Sequence, residues 1–300
     1  MMEAGLIAAR FVHYVALAVL FGSWAYAGFG SADVALRRRS GRMAIVSAVV
    51  VLLGSLAVLA ATIAGLGGDF GALGDLDLWA TVIGETDFGR IWSVRLMFAT
   101  CAVATALGWA AGRGAATRVV GLTMAGALVT LIAWTGHAAI EEGAAGQLHR
   151  LADALHLIAA VVWIGALLPM LWLLAVPSTA PEAALRLTQF HAVGLVAVLT
   201  LLVTGTINSY FLVGTPQALV ATTYGQLLAA KLALFAGMVA LAAGNRFRHA
   251  PALARSVSAG VVSEKSVARL RRSIGGELML GVLVLATVAI LGAIAPAASR

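Results

Sequence analysis

Long apolar runs without a single charge are the feature that most limits what this chain can fold into. Residues 45–66 contain no charged side chain, and neither do residues 192–216. Each run exceeds the roughly 20 apolar residues that an α-helix needs to cross a bilayer. No run shows the alternation with period two that an outer-membrane strand requires. The sequence therefore predicts an all-α fold, a polytopic bundle of transmembrane helices.

The composition agrees, because only 11% of the residues are charged and 61% are hydrophobic, whereas about a quarter of the residues in a soluble domain are charged. Glu3, with no basic residue ahead of Arg10, is the reverse of a secretory signal, so we expect the first span to be retained. We expect one integral membrane domain over residues 1–300 with eight spans. Their approximate bounds are 5–30, 43–66, 91–111, 118–138, 150–175, 188–213, 224–245 and 274–295.

Basic residues predict the orientation of the bundle. The first, third, fifth and seventh connections hold 14 of the 20 Lys and Arg residues. The second connection is acidic, and the fourth carries Glu141 and Glu142. Because cytoplasmic loops carry the excess of Lys and Arg, we expect the odd-numbered connections to face the cytoplasm and both termini to face outward.

Several functional classes are excluded by what the sequence lacks. The net charge of +7 comes from short basic clusters between apolar runs, so we expect no nucleic-acid partner. No Walker lysine loop or dinucleotide motif occurs, and we expect no enzymatic activity. Cys101 is the single cysteine, which excludes Cys-pair metal motifs; we expect it to pack as a small apolar residue.

Histidines inside the apolar segments are the main candidates for chemistry, because polar groups in hydrocarbon are costly. His13, His137 and His156 all fall on the predicted outer side, and we expect them to converge on one metal site if spans 1, 4 and 5 are neighbours. A lone transmembrane histidine that bonds a neighbouring helix is the structural alternative. Imidazole binds Cu, Zn, Fe and Ni, and thioether prefers Cu(I).

The spacing of residues along span 5 indicates further candidate metal ligands, along which a metal ion would pass in turn; we call these positions stations. His149 and His156 are seven residues apart and share a helix face, about 10 Å apart at 1.5 Å per residue. That separation is too long for one shared ion, so they are candidates for successive stations. Met170, fourteen residues beyond His156, is a later candidate, and His191 is a candidate station near the inner end of span 6.

Four other polar residues are candidates for structural support of the bundle or of transport. Lys231 either reaches the membrane interface or pairs with a carboxylate such as Asp153. Asn208 is placed to hydrogen-bond across helices, with Gly205 one turn earlier allowing a close approach. Glu277 lies near the inner end of span 8, where we expect a cytoplasmic arginine as its partner.

The second half of the chain contains a series of short motifs over about residues 148–246. In order they are 153–156 (DALH) with 162–169 (VWIGALLP), 202–208 (LVTGTIN), 224–231 (YGQLLAAK) and 245–246 (NR). Their order and spacing resemble the copper resistance protein D (CopD-like) family of bacterial inner-membrane proteins. Ala166 stands where the family usually has a second glycine, and Trp163 of the first motif is a further candidate for structural support of transport.

The resemblance implies copper handling in the cytoplasmic membrane, commonly movement of copper from periplasm to cytoplasm, with a separate periplasmic copper-binding protein as a partner. Two alternatives remain open. His137 and His156 are also arranged as the axial ligands of a bis-His haem protein would be. A third interpretation is a membrane partner that sequesters copper without transporting it.

Overall fold

The computed structural model describes residues 2–112, 114–136 and 143–299, and this part of the chain is helical without any strand. Its α-helices are α1 (Met2–Ala25), α2 (Val34–Gly67), α3 (Leu76–Glu85), α4 (Asp87–Ala110), α5 (Ala115–Thr130), α6 (Gly143–Leu173), α7 (Ala180–Val213), α8 (Pro216–Ala221), α9 (Thr223–Gly244), α10 (Ala250–Ser258) and α11 (Glu264–Leu291). Eight helices are long and apolar enough to cross a membrane. The predicted all-α bundle with eight spans is confirmed.

Several helices extend beyond the apolar runs that predicted them. Helix α7 begins eight residues before the predicted sixth span, and α11 begins ten residues before the eighth. A π-helix, Asn245–His249, joins α9 to α10. The extra turns carry charged residues that hydropathy places in loops, so the bundle has a polar helical rim.

The second connection folds more than its acidic composition suggests. It forms a 3-10 turn, Phe70–Gly74, followed by α3. Asp69 Oδ1 accepts a hydrogen bond of 2.6 Å from the Gly71 amide, and Asp75 Oδ1 accepts one of 3.0 Å from the Leu78 amide. Two of the acidic residues therefore satisfy the free amides at helix starts.

Contacts between connections show which helix ends lie together. Arg118 Nε donates to the Trp24 carbonyl at 3.1 Å, and the Gly30 amide donates to Glu182 Oε1 at 2.9 Å. The first, third and fifth connections therefore lie together at one end of the helix bundle. Arg10 donates to the Gly292 carbonyl, which places the start of α1 beside the end of α11. Which end faces the periplasm stays a prediction.

Helices α1 and α6 form the centre of the bundle. Helix α1 packs against α2, α5, α6 and α11, and α6 also packs against α7. A Cβ atom added to Gly22 of α1 would overlap the backbone carbonyl of Gly165 on α6. Small residues at such a crossing let two membrane helices approach closely. Helices α1 and α6, which carry His13 and His156, are thus fixed against each other by backbone contact.

The expected burial of Cys101 is wrong, because its side chain is exposed on the outside of α4. His137 and the acidic pair Glu141 and Glu142 lie outside the described residues.

Candidate functional site

Polar side chains follow one face of α6. His149, Asp153, His156 and Trp163 are separated by four, three and seven residues, the spacing of positions on one side of a helix. From His149 to Trp163 the face extends about 21 Å at 1.5 Å per residue. That length is comparable with the hydrocarbon core of a bilayer, about 30 Å, where each uncompensated polar group is costly.

Helix α7 supplies the partners for the first half of this face. The His149 ring stacks on Phe211, with centroids 4.6 Å apart and planes 9° from parallel. Asn208 Nδ2 donates to Asp153 Oδ1 at 3.2 Å, and Thr204 Oγ1 lies 2.9 Å from His156 Nδ1. As one residue number rises the other falls, so the helices are antiparallel. We call this set of paired residues on α6 and α7 the polar seam.

The hydrogen bonds of Thr204 decide which nitrogen of His156 carries the proton. Thr204 Oγ1 donates its hydrogen to the Thr200 carbonyl at 2.6 Å. It therefore accepts from His156, so Nδ1 is the protonated nitrogen and Nε2 keeps its lone pair. Histidines that bind metals usually have this arrangement, in which one nitrogen donates and the other binds.

Close approach to α7 is possible for His156 because the facing residue is Gly205. A Cβ atom added to Gly205 would lie 3.4 Å from Cε1 of the imidazole. The ring is half-buried in the seam. Gly205 and Thr204 together hold the ring in one orientation, so little conformational freedom remains to be lost when a metal binds.

Asp153 and Lys231 balance charge beside His156. Asp153 interacts electrostatically with Lys231 of α9 and with His149. Lys231 also interacts with His156, and an uncompensated ammonium there would repel a metal cation. An ionised Asp153 carries the opposite charge, and charges act on one another more strongly in a medium of low dielectric constant than in water.

His13 lies in a different hydrogen-bond arrangement. Its ring is 2% exposed, and Nε2 lies 2.9 Å from Nη2 of Arg95. Since the guanidinium can only donate, the Nε2 lone pair is used, and Arg95 adds a fixed positive charge beside the ring. Arg95 is held in turn by the Leu128 carbonyl at 2.8 Å. The sequence predicted His13 as a metal ligand, and in the structure its Nε2 instead contacts Arg95.

The later stations differ in their surroundings. Met170 is 2% exposed and packs in the main hydrophobic core. His191 is partly exposed on α7 and interacts electrostatically with Arg246, whose Nη1 donates to the His191 carbonyl at 3.2 Å. Neither residue is among the paired residues of the polar seam.

Trp163 continues the polar face of α6 toward the other end of the bundle. Its Nε1 donates to Glu277 Oε1 at 2.5 Å, and Asn245 Nδ2 donates to Glu277 Oε2 at 3.0 Å. The expected arginine partner of Glu277 is therefore wrong: two neutral N–H groups bind the carboxyl group. Sequence reasoning missed this cluster, although the seven-residue spacing from His156 to Trp163 was a usable signal.

Within residues 2–112, 114–136 and 143–299, no group of three or more His, Cys, Asp or Glu side chains is arranged to hold a metal ion. The expected convergence of His13, His137 and His156 includes a residue outside these ranges, so it stays a prediction. What the described residues offer is one imidazole, His156, with an anchored Nδ1 and an available Nε2.

An apolar groove between α1, α6 and α11 does not provide a haem site. Its lining includes Val19, Gly165 and Leu278, and no histidine or methionine contributes to it. Haem iron needs an axial nitrogen, sulfur or oxygen ligand. This groove therefore gives no support to the haem alternative.

Two family models match the chain. The model described as "Copper resistance protein D-like, N-terminal domain" matches residues 1–147, and the model "Copper resistance protein D" matches residues 184–291. Together they include α1 to α5 and most of α7 to α11. The polar seam therefore joins a helix between the two matched regions, α6, to a helix within the second.

Two curated relatives match over nearly their full length, and a third matches over a shorter segment. Copper resistance protein D of Pseudomonas syringae pv. tomato is 32% identical, covering 97% of this chain and 96% of the relative. Inner membrane protein YebZ of Escherichia coli (strain K12) is 31% identical, covering 94% and 97%. Copper transport protein CutJ of Bacillus subtilis (strain 168) is 36% identical over 115 residues, which is 37% of this chain and 21% of that protein. No solved structure matches.

Proposed function

This chain belongs to the copper resistance protein D family, and on that premise we propose that it moves copper across the bacterial inner membrane, from periplasm to cytoplasm. The inner-membrane location agrees with the eight apolar helices and with the name of the E. coli relative, inner membrane protein YebZ. Movement of copper agrees with the name of the B. subtilis relative, copper transport protein CutJ. The direction follows the resemblance described above.

The observation that carries the proposal is the orientation of His156. The chain of hydrogen bonds from its Nδ1 through Thr204 to the Thr200 carbonyl leaves Nε2 as a neutral nitrogen ligand. Such a ligand suits copper in either common oxidation state. As a half-buried imidazole at the centre of the polar face of α6, His156 would receive a cation from one side and release it to the other.

His149 and His137 would act before His156. His149 lies two helical turns from His156, about 10 Å along the axis, so each histidine would hold copper in turn. His137 precedes α6 by six residues, a separation that an extended chain covers in about 20 Å. On this proximity in the sequence we assign His137 the capture of copper at the entrance.

The remaining residues would support this path. Asp153 offsets the charge of Lys231 near the copper position, and Asn208 orients that carboxylate. Met170 and His191 are candidate later ligands, Met170 through its thioether sulfur. His13, bound to Arg95, would fix α1 against α4 and would not bind copper.

Copper uptake into proteoliposomes tests the proposal. Vesicles containing the purified protein and an internal fluorescent copper indicator should show uptake with the native chain and with His249→Ala, and greatly reduced uptake with His156→Ala. Tight stoichiometric binding without uptake in the native chain would indicate the sequestering alternative. A Soret band in the purified protein would indicate haem.

A further inference from the structure

The cluster of Trp163, Asn245 and Glu277 has properties that copper binding at the polar seam does not explain. Glu277 is 3% exposed on a membrane-spanning helix. Its two carboxyl oxygens accept from Trp163 Nε1 and Asn245 Nδ2. Both donors are neutral, so the site contains a carboxyl group without a counter-charge, and an ionised carboxylate in a low-dielectric interior is costly unless it is paired.

Charged residues close to this cluster in the chain bind elsewhere. Arg272, five residues before Glu277 on α11, donates from Nε to the Ala268 carbonyl at 3.4 Å. Arg246, next to Asn245, donates to the His191 carbonyl at 3.2 Å and lies over the Phe247 ring. Lys231 of α9 interacts with Asp153. On α6, which supplies Trp163, the titratable side chains belong to the polar seam and to Arg150, and on α1 they are Glu3, Arg10, His13 and Tyr14. In the described part of the chain, no ion pair includes Glu277.

Asn245 supplies a second, independent observation. It is 7% exposed, and its Oδ1 is a buried acceptor without a hydrogen-bond donor. Buried polar atoms in native proteins are nearly always satisfied, so an exception needs an explanation. The same side chain already donates its Nδ2 to Glu277, and a half-turn of the amide would bring Oδ1 to the position of Nδ2.

Because the Asn245 amide can make that half-turn, the cluster can accommodate both protonation states of Glu277. When Glu277 is ionised, Asn245 donates Nδ2–H to the carboxylate. When Glu277 is protonated, its hydroxyl needs an acceptor, and Oδ1 of the rotated amide provides one. Trp163 donates to the other carboxyl oxygen in both states. Proton uptake therefore needs the rotation of one amide and no backbone movement.

The π-helix gives this cluster a short connection to water. Asn245 is the first residue of the π-helix, and Arg248, three residues further, is exposed. π-helical turns are uncommon and often occur at functional sites. A proton would pass from the basic, predicted cytoplasmic rim to Glu277 over about one helical turn.

We propose that Glu277, Asn245 and Trp163 form a proton-binding site, separate from the polar seam, which takes up and releases one proton when copper moves through the bundle. The proton-binding site stands on the geometry above, whereas its exchange with copper rests on the proposed function. The reaction is simple protonation: the carboxylate gains a proton from water and returns it, and no bond other than O–H forms or breaks.

Infrared difference spectroscopy of the purified protein in detergent tests the proton site without copper. Between high and low pH, the native chain should gain the C=O band of a protonated carboxylic acid that Glu277→Gln lacks. Glu264→Gln, a change of an exposed carboxylate on the same helix, should keep the band. Asn245→Leu should keep it to higher pH, because the carboxylate loses a donor. Identical difference spectra for the native chain and Glu277→Gln would overturn the proposal.

Proteoliposomes with an internal pH indicator test the exchange. Copper addition should change the internal pH with the native chain and with Glu264→Gln, but not with Glu277→Gln, whose copper binding at equilibrium should be unchanged. Equal pH changes for Glu277→Gln and the native chain would overturn the exchange. A titrating Glu277 band together with no copper uptake by the native chain would support the proton site and refute the proposed function.

Discussion

Nδ1 of His156 lies 2.9 Å from the hydroxyl oxygen of Thr204, on the neighbouring helix α7. Because Thr204 donates its own hydrogen to the Thr200 carbonyl, the contact fixes the tautomer of the imidazole. His13 forms a contact of the same length with Arg95, but there the nitrogen accepts. Nε2 of His156 therefore keeps an available lone pair, whereas the lone pair of His13 Nε2 is used by Arg95.

The tautomer of His156 can be tested through Thr204. Thr204→Val removes the acceptor for Nδ1–H while it keeps the shape of the side chain. We expect copper affinity to fall about 10-fold or more, in the range found for lost outer-shell partners of metal-binding histidines. Equilibrium titration of the purified protein with Cu(I) measures the change. Thr206→Val, which changes an exposed threonine bonded within its own helix, is the control and should bind as the native chain does.

The interpretation of His13 as a structural residue makes a different prediction. His13→Leu leaves Nη2 of the buried Arg95 without its partner, and an unsatisfied buried group costs about 1–3 kcal/mol. We expect a lower unfolding midpoint in detergent and an unchanged number of copper ions per chain. His249→Leu, at the end of the π-helix, should alter neither quantity. Loss of bound copper in His13→Leu at normal stability would instead make His13 a ligand.

Much of the fold follows from the sequence, because burial in a bilayer forces every backbone group into helices. Eight apolar runs therefore predicted eight spans. The ends of the helices were harder to predict from the sequence. Residues such as Glu182, Arg186 and Arg269 are polar enough to resemble loops, yet they belong to helices that continue past the hydrocarbon region.

The candidate site was predictable only in part. The seven-residue spacing of His149 and His156 indicated a shared face, and that face exists. The partners could not be derived, because they depend on which helices are neighbours. Arg95 is 82 residues from His13 in the chain, and Glu277 is 114 residues from Trp163. Hydropathy carries no information about such pairs.

The contact between α1 and α6 predicts an unusually sensitive glycine. Gly22→Ala would place a methyl group against the Gly165 carbonyl, and overpacking of this kind costs about 1–3 kcal/mol. We expect a lower thermal midpoint in detergent. Gly126→Ala is the matched control, since a Cβ atom at this helical position meets nothing within 4 Å. A control that destabilises as much as Gly22→Ala would show that the helix crossing is not the cause.

Charge compensation between Asp153 and Lys231 can be measured with a double-mutant cycle. Asp153→Asn removes the carboxylate that interacts electrostatically with Lys231, and we expect the free energy of unfolding to fall, because an uncompensated charge in a low-dielectric interior is costly. We expect the double variant Asp153→Asn, Lys231→Met to recover much of the lost stability, measured as the free energy of unfolding in detergent. Additive effects of the two changes would show that the residues act independently.

The number of copper ions bound per chain at equilibrium, with their affinity, is the most direct test of the copper site. Native protein, His156→Ala and His249→Ala should be purified in parallel and titrated with Cu(I) under the same conditions. The account predicts that the native chain and His249→Ala bind copper equally, while His156→Ala binds it far more weakly. Superimposable curves for the two histidine variants would contradict the assignment of His156 as the copper ligand.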